Sequence, residues 1–173
     1  MARDRDVAAF GERAPRYNEG WLGQLHHEIA DRAADLALTC VPAPRRILDV
    51  GCGTGYLLGR LAARAPRAEA LAGIDAASAM VEAARDAATD GRLRFVVGTA
   101  ESLPWPAASF DLVVSTTSFD HWADQRTGLV QCARVLEPAA AWSWPACSRC
   151  FCCRPCWPGA GARRARNGGR PDW

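Results

Sequence analysis

The chain has 173 residues, room for one domain, and its 49% hydrophobic and 23% charged content is that of a globular chain. No apolar run approaches the ~20 residues of a membrane span, and the opening Met1-Ala2-Arg3-Asp4-Arg5-Asp6 is too polar for a signal peptide, so a cytoplasmic location is expected. The net charge of +2 hides a break: residues 1–138 hold fifteen arginines against eighteen acids, residues 139–173 six arginines against one acid.

In chain order, Leu22, Leu25, Ile29, Ala33 and Leu36 recur at helical spacing across residues 21–38, with Glu28, Asp31, Arg32 and Asp35 between them. His26 and His27 on that helix read as surface residues, and Pro42 and Pro44 end it. A strand over 46–50 leads to a helix over 56–63 that buries Leu57, Leu58 and Leu61 and stops near Pro66. A short strand over 71–75 ends in an acid and precedes an alanine-rich helix over 78–88, with Met80, Ala84 and Ala87 on one face. Asp90-Gly91 turns into a strand over 93–97, and a loop holding Leu103-Pro104-Trp105-Pro106 leads to a fourth strand over 110–115. That strand is nearly continuously apolar, as one covered on both faces should be. A helix over 124–136 follows, with Leu129, Ala133 and Leu136 inward. Strands alternating with helices imply an α/β fold: a doubly wound, Rossmann-like, mainly parallel sheet with helices on both faces.

The first strand runs directly into Asp49-Val50-Gly51-Cys52-Gly53-Thr54-Gly55. A strand, a glycine-rich turn and a helix bring backbone against a nucleotide-like cofactor. The spacing is G-x-G-x-G; the third glycine of the dinucleotide fingerprint would fall at Tyr56, which disfavours a nicotinamide cofactor. Asp49 would repel a phosphate and suits a ligand carrying positive charge, such as the ammonium and sulfonium of S-adenosylmethionine (SAM). Asp75, twenty residues past Gly55 at the end of the second strand, is placed to accept from both hydroxyls of a ribose; the alternative for such an acid is a helix cap or a solvated loop.

These segments resemble the class I SAM-dependent methyltransferases, and more narrowly the small-molecule group typified by ubiquinone/menaquinone-biosynthesis enzymes (methyltransferase type 11), over residues 17–138. The resemblance implies SAM as cofactor and a small molecule as methyl acceptor, with neither nucleic acid nor membrane as partner. It puts Asp49, Gly51, Gly53 and Gly55 beneath the methionine part of SAM, with Cys52 and Thr54 contributing backbone, and Asp75 and Ala76 on the ribose and adenine. Gly98-Thr99-Ala100-Glu101-Ser102-Leu103-Pro104-Trp105 is similar to the family's G-D-A-x-x-L-P-F segment at the adenine edge. Thr99 stands where the family has Asp, so weaker cofactor binding is expected, and Trp105 reads as core packing rather than an adenine stack. Glu101 and Ser115 complete the cofactor set, and Tyr17 with a helix over about 18–40 forms a lid on a core over 45–138. His121, just past the fourth strand, is a candidate general base or substrate-orienting group, against a purely structural loop histidine. Proximity of nucleophile and sulfonium alone supplies about 7–11 kcal/mol, so the reaction class does not require a base.

Arg134-Val135-Leu136-Glu137-Pro138 matches the R-V-L-x-P-G-G lead-in to the family's fifth strand, but Ala139 and Ala140 replace its glycines. Back-translating 139–157 and reading from each codon's third base yields a Gly-Gly turn followed by an apolar strand. Residues 139–173 therefore read as the out-of-frame translation of a normal C-terminus, irregular and disordered. The alternative is zinc at Cys147-x-x-Cys150-x-Cys152-Cys153-x-x-Cys156; the very short spacer between the C-x-x-C pairs argues for no metal. Arg163-Arg164-Ala165-Arg166 reads as a solvated run. In the family's sheet order, 3-2-1-4-5-7-6, loss of strands 5–7 leaves strand 4 as an apolar edge. The reading is methyl transfer to an O, N or C nucleophile; the alternatives are a non-catalytic SAM-binding remnant and a nicotinamide-binding domain. Neither the acceptor nor the oligomeric state follows from these residues.

Overall fold

A computed structural model describes residues 4–138; the readings made for 139–173 lie outside the described residues. The elements are α1 (Asp4–Arg13), a 3-10 turn (Ala14–Arg16), α2 (Gly20–Cys40), β1 (Arg46–Val50), α3 (Tyr56–Arg64), β2 (Ala70–Asp75), α4 (Ser78–Ala87), β3 (Leu93–Val97), β4 (Leu112–Val114), a second 3-10 turn (Phe119–His121) and α5 (Gln125–Val135). The strands form one sheet, in the order β3-β2-β1-β4, and every pairing is parallel. Register places Asp49 between Gly73 of β2 and Val114 of β4.

Side chains alternate across β1. Ile47 joins the core shared with α2, α3 and α4, while Leu48 and Val50 join the core on the other face, with Phe110, Trp122 and Val135. Each such fully buried aliphatic side chain contributes roughly 1.5–3 kcal/mol. Asp49 falls on the α2–α3 side, in a row of buried positions, and this is how a carboxyl comes to sit inside the protein. Two helix ends are closed by side chains. Asp124 accepts from the backbone N–H of Arg126 and Thr127 at the start of α5. The Arg92 guanidinium donates to the carbonyls of Ala62, Ala65 and Ala68 at the end of α3.

Three details correct the sequence reading. The buried face of α2 is Gly23, Ala30, Ala34 and Ala37, whereas Leu25 and Leu36 are 41% and 43% exposed. Small residues let α2 approach α3 closely, and at the edge of that contact Asp31 and Asp35 pair with Arg60 and Arg64 at 2.5 and 2.6 Å. On α4, Val81 rather than the exposed Ala87 completes the buried face with Met80 and Ala84. On α5, Gly128 and Val135 are buried and Ala133 is not, because α5 packs its glycine against the Trp122 ring; a Cβ on Gly128 would lie 2.4 Å from that ring.

β4 is shorter than expected. Before it, Asp111 turns its carboxylate to the backbone N–H groups of Arg45 and Arg46. Phe110 bridges in parallel to Leu136, and Glu137 N donates to Phe110 O at 2.7 Å, so the outer edge is engaged at its start. Among the described residues no strand pairs with that edge along Leu112–Val114. No helix of the described residues is long and apolar enough to cross a membrane.

Candidate functional site

The site forms at the carboxyl ends of the strands, where the chain crosses from one side of β1 to the other, the usual crevice of open α/β sheets. Leaving β1, the backbone N–H groups of Gly51 and Cys52 both donate to Ile74 O, at 2.8 and 3.0 Å. Gly51, Gly53 and Gly55 all have positive φ, 77°, 52° and 80°. At Gly51 a Cβ would also collide with the Ser118 side chain, 2.2 Å away; at Gly55 it would lie 2.8 Å from the Phe95 ring. The turn is therefore glycine-rich for packing reasons before any ligand is considered.

The main cleft has walls from all four strand ends. Gly51 and Gly53 follow β1, Asp75 and Ala76 end β2, Thr99, Ala100 and Glu101 follow β3, and Thr116, Thr117, Ser118, His121 and Trp122 follow β4. Asp6, Val7 and Phe10 of α1 close it on one side and Tyr17 on another. A second cavity lies between the glycine turn and α2, and shares Tyr17, Gly51, Gly53, Thr116 and Thr117 with the first. Its other walls include Asn18, His26, His27, Asp49, Cys52, Thr54 and Tyr56. Of the residues expected at the site, only Gly55 and Ser115 line neither cavity. Gly55 packs behind the turn, and the Ser115 hydroxyl bonds that of Ser118 (2.8 Å), which in turn donates to Val50 O (2.9 Å).

Asp75 braces the turn: Oδ2 accepts from Gly53 N and Oδ1 from Ala77 N, both at 2.9 Å. Burial pushes its carboxyl above the usual range, partly offset by these backbone donors. Each oxygen keeps a further lone pair for a ligand in the cleft. Asp49 is 1% exposed, and its Oδ1 has no hydrogen-bond partner. Burial, then the charge of Asp75, push its carboxyl up to about 8. The Cys52 thiol is raised well above its ordinary range, chiefly by burial, and packs as a plug rather than a nucleophile.

Polar and aromatic groups from residues 17–27 face the glycine turn. His26 stacks on Tyr17 and His27 on Tyr56, at 5.0 and 3.8 Å between centroids, so both turn inward instead of lying on the surface. His26 Nδ1 is buried without a partner, and burial, with Arg13 and His27 nearby, lowers its pKa. Asn18 Oδ1 accepts from the Thr54 hydroxyl at 3.0 Å and lies 3.2 Å from His27 Nε2, tying the start of α2 to the glycine turn. Burial raises the Tyr17 phenol, against a hydrogen bond with Thr117. Thr117 itself holds φ 55°, a costly conformation for a β-branched residue, of order 1–3 kcal/mol, placed at the cleft wall. For Glu101, burial raises the carboxyl, but hydrogen bonds led by that from Asp124 N outweigh it and hold the group below its ordinary value. Trp105 lies edge-on to Phe110 in the core, away from the cleft. No His/Cys/Asp/Glu group among the described residues is arranged to hold a metal ion.

The sequence reading missed α1 and with it Asp6, Val7 and Phe10, as well as Asn18 and the 116–118 loop. Val7, Phe10 and Ala14 stand at i, i+3 and i+7, the one signal that reveals α1.

A sequence model of the methyltransferase domain matches residues 47–139. Among curated proteins, the demethylmenaquinone methyltransferase of Thermus thermophilus is 42% identical over 136 residues, covering 75% of this chain and 60% of that protein. The malonyl-[acyl-carrier protein] O-methyltransferase of Halorhodospira halophila is 37% identical, over 77% of this chain and 44% of that protein. Among solved structures, the methyltransferase chain in complex with the Haloferax volcanii Trm112 methyltransferase activator superposes with a TM-score of 0.66 at 28% identity, covering 75% of this chain and 56% of that one. The YcgJ protein of Bacillus subtilis gives 0.56 at 32% identity, over 61% and 46%. The chain thus spans between 44% and 60% of the length of these two curated relatives.

Proposed function

The chain belongs to the methyltransferase-domain family, and we propose that it binds SAM across its two cavities and transfers the methyl group to a small-molecule nucleophile. When bound, SAM supplies a methyl group on a sulfonium, a leaving group that needs no metal or acid to depart. The observation that carries the reading is the buried, unpartnered Asp49 Oδ1 under the glycine turn. An unsatisfied buried polar atom costs about 1–3 kcal/mol, and a cationic donor in the second cavity removes that cost.

In this reading Asp49 receives the ammonium of the amino-acid portion, and His26, whose Nδ1 is likewise unpartnered, completes that end. Asp75 and Ala76 take the ribose, Thr99 and Ala100 the adenine edge, and Gly51 and Gly53 present backbone where a side chain would block approach. Val7, Phe10, Met80 and Trp122 give the acceptor side an apolar wall. Holding acceptor and donor in line there supplies about 7–11 kcal/mol of barrier reduction.

Isothermal calorimetry with SAM is the test, followed by tritium transfer from labelled SAM into a metabolite extract. Micromolar binding with transfer supports the reading. Binding without transfer assigns a cofactor-binding chain that does not turn over, and no binding of SAM to the folded chain overturns both. Nucleotide sequence across codons 138–140 tests the out-of-frame reading separately; an intact frame in close relatives ends it.

A further inference from the structure

One pair on the cleft wall remains without a role. His121, from the 3-10 turn after β4, and Asp6, from α1, both line the cleft, and His121 Nδ1 lies 3.2 Å from Asp6 Oδ2. Phe10, one turn further along α1, stands edge-on to the imidazole at 4.8 Å between centroids, so the ring is held on two sides. Its Nε2 has no hydrogen-bond partner among the described residues. An imidazole that donates Nδ1–H to a carboxylate carries its free lone pair on Nε2.

Building on the methyltransferase reading, we infer that Asp6 is a positioning residue that holds His121 in this tautomer, with Nε2 as the base that takes the acceptor's proton. As the acceptor's lone pair closes on the methyl carbon, the carbon–sulfur bond breaks and its electron pair stays on sulfur. The acceptor's proton passes to Nε2, and the imidazolium rests against the Asp6 carboxylate until solvent takes the proton. One positive charge enters on sulfur and one leaves on the imidazole. The arrangement selects an acceptor whose nucleophilic group still bears a proton, such as a phenol or enol, over a carboxylate, which is already deprotonated at neutral pH. The bland alternative is a staple between two partly exposed side chains, which holds α1 in place and does little else.

Nitrogen-15 NMR of the three histidine side chains at pH 8 separates the two. The dyad requires His121, assigned by its loss in His121→Asn, to be protonated on Nδ1, and to revert toward the Nε2–H form in Asp6→Ala. An Nε2–H tautomer in the unsubstituted protein, or one unchanged by Asp6→Ala, overturns the inference. Methyl transfer is measured in parallel with naphthalene-1,4-diol and with a soluble malonyl thioester as probes. Asp6→Asn and Asp6→Ala are expected to lower kcat for the diol about 10²-fold at unchanged KM and SAM affinity, with partial recovery in Asp6→Glu. Unchanged kcat, or faster transfer to the malonyl carboxylate, counts against the dyad. If calorimetry finds no SAM binding, the methyltransferase reading fails, and the tautomer alone decides the pairing.

Discussion

Replacing Asp49 by Asn tests the cofactor reading through protons rather than turnover. The carboxyl is fully enclosed and pushed up to about 8, first by burial and then by the charge of Asp75, so the protonated form prevails at pH 7 in the unliganded protein. An ammonium delivered into the second cavity favours the ionised form. Binding of SAM at pH 7 is therefore expected to release a proton from Asp49. Calorimetric titrations at pH 7 in phosphate and in Tris, whose ionisation enthalpies differ, read that proton directly. Asp49→Asn has none to release, and subtracting its value removes any contribution from the ligand's own amine. The same shift has a stability consequence. The folded-state pKa lies above the ordinary unfolded value near 3.9, so the unliganded fold holds a proton that the unfolded chain has lost. Stability is full below about pH 4 and falls as pH rises through about 8, with a limiting slope near 1.4 kcal/mol per pH unit for one proton. Urea melts between pH 5 and 8 are expected to show this fall in the unsubstituted protein, less other groups' contributions, and to lose it in Asp49→Asn. Equal proton release in the two proteins would refute the argument, because Asp49 would then not meet a cation.

The glycine turn gives a graded series. Gly55→Ala combines a left-handed backbone with a Cβ 2.8 Å from Phe95, and is expected to cost about 2–5 kcal/mol by denaturant melt. Gly53→Ala shares the backbone cost, but its Cβ meets only Tyr17 at 3.9 Å, so it should cost about 1–2 kcal/mol. Asp75→Ala removes the acceptor for both Gly53 N and Ala77 N, and should weaken SAM binding at least 10-fold by calorimetry while lowering the melting temperature. A melting loss at undiminished affinity would assign Asp75 to the turn alone.

The sheet was legible because its strands carry their own evidence. Residues 46–50 and 93–97 are bounded by turn residues and match the observed strands end to end. The helix faces were less legible where packing runs through small residues. Hydrophobic weighting points α2 toward Leu25 and Leu36, but contact with α3 is set by what permits close approach, and Gly23, Ala30, Ala34 and Ala37 win that competition. The inward turn of His26 and His27 follows from the same rotation. α1 was missed because charged residues surround its apolar contacts Val7 and Phe10, which with Ala14 of the following turn pack only once Ala77 and Met80 at the start of α4 are in place. Such an element has no fold signal of its own; the tertiary contact creates it.

The residues with the strongest sequence signal turn out to hold one another. Gly55 accommodates Phe95, Gly51 accommodates Ser118, and Asp75 accepts from Gly53 and Ala77, so the glycine motif is a self-braced scaffold. Among the described residues, the buried side-chain polar atoms still lacking partners belong to Asp49, His26 and Glu101, and His26 lies on a helix with no motif of its own. This division has a physical cause. A backbone turn tolerates only glycine where φ is positive and space is short, which leaves a spacing that can be read; a ligand-facing side chain needs only a direction, which the fold alone supplies. Variants in the glycine turn should therefore move stability and affinity together, whereas variants at His26 or Asp6 should move binding or turnover with the fold intact, and Asp49→Asn should change affinity and the pH dependence of stability. Melting and calorimetry on the same proteins decide whether the two sets separate in this way.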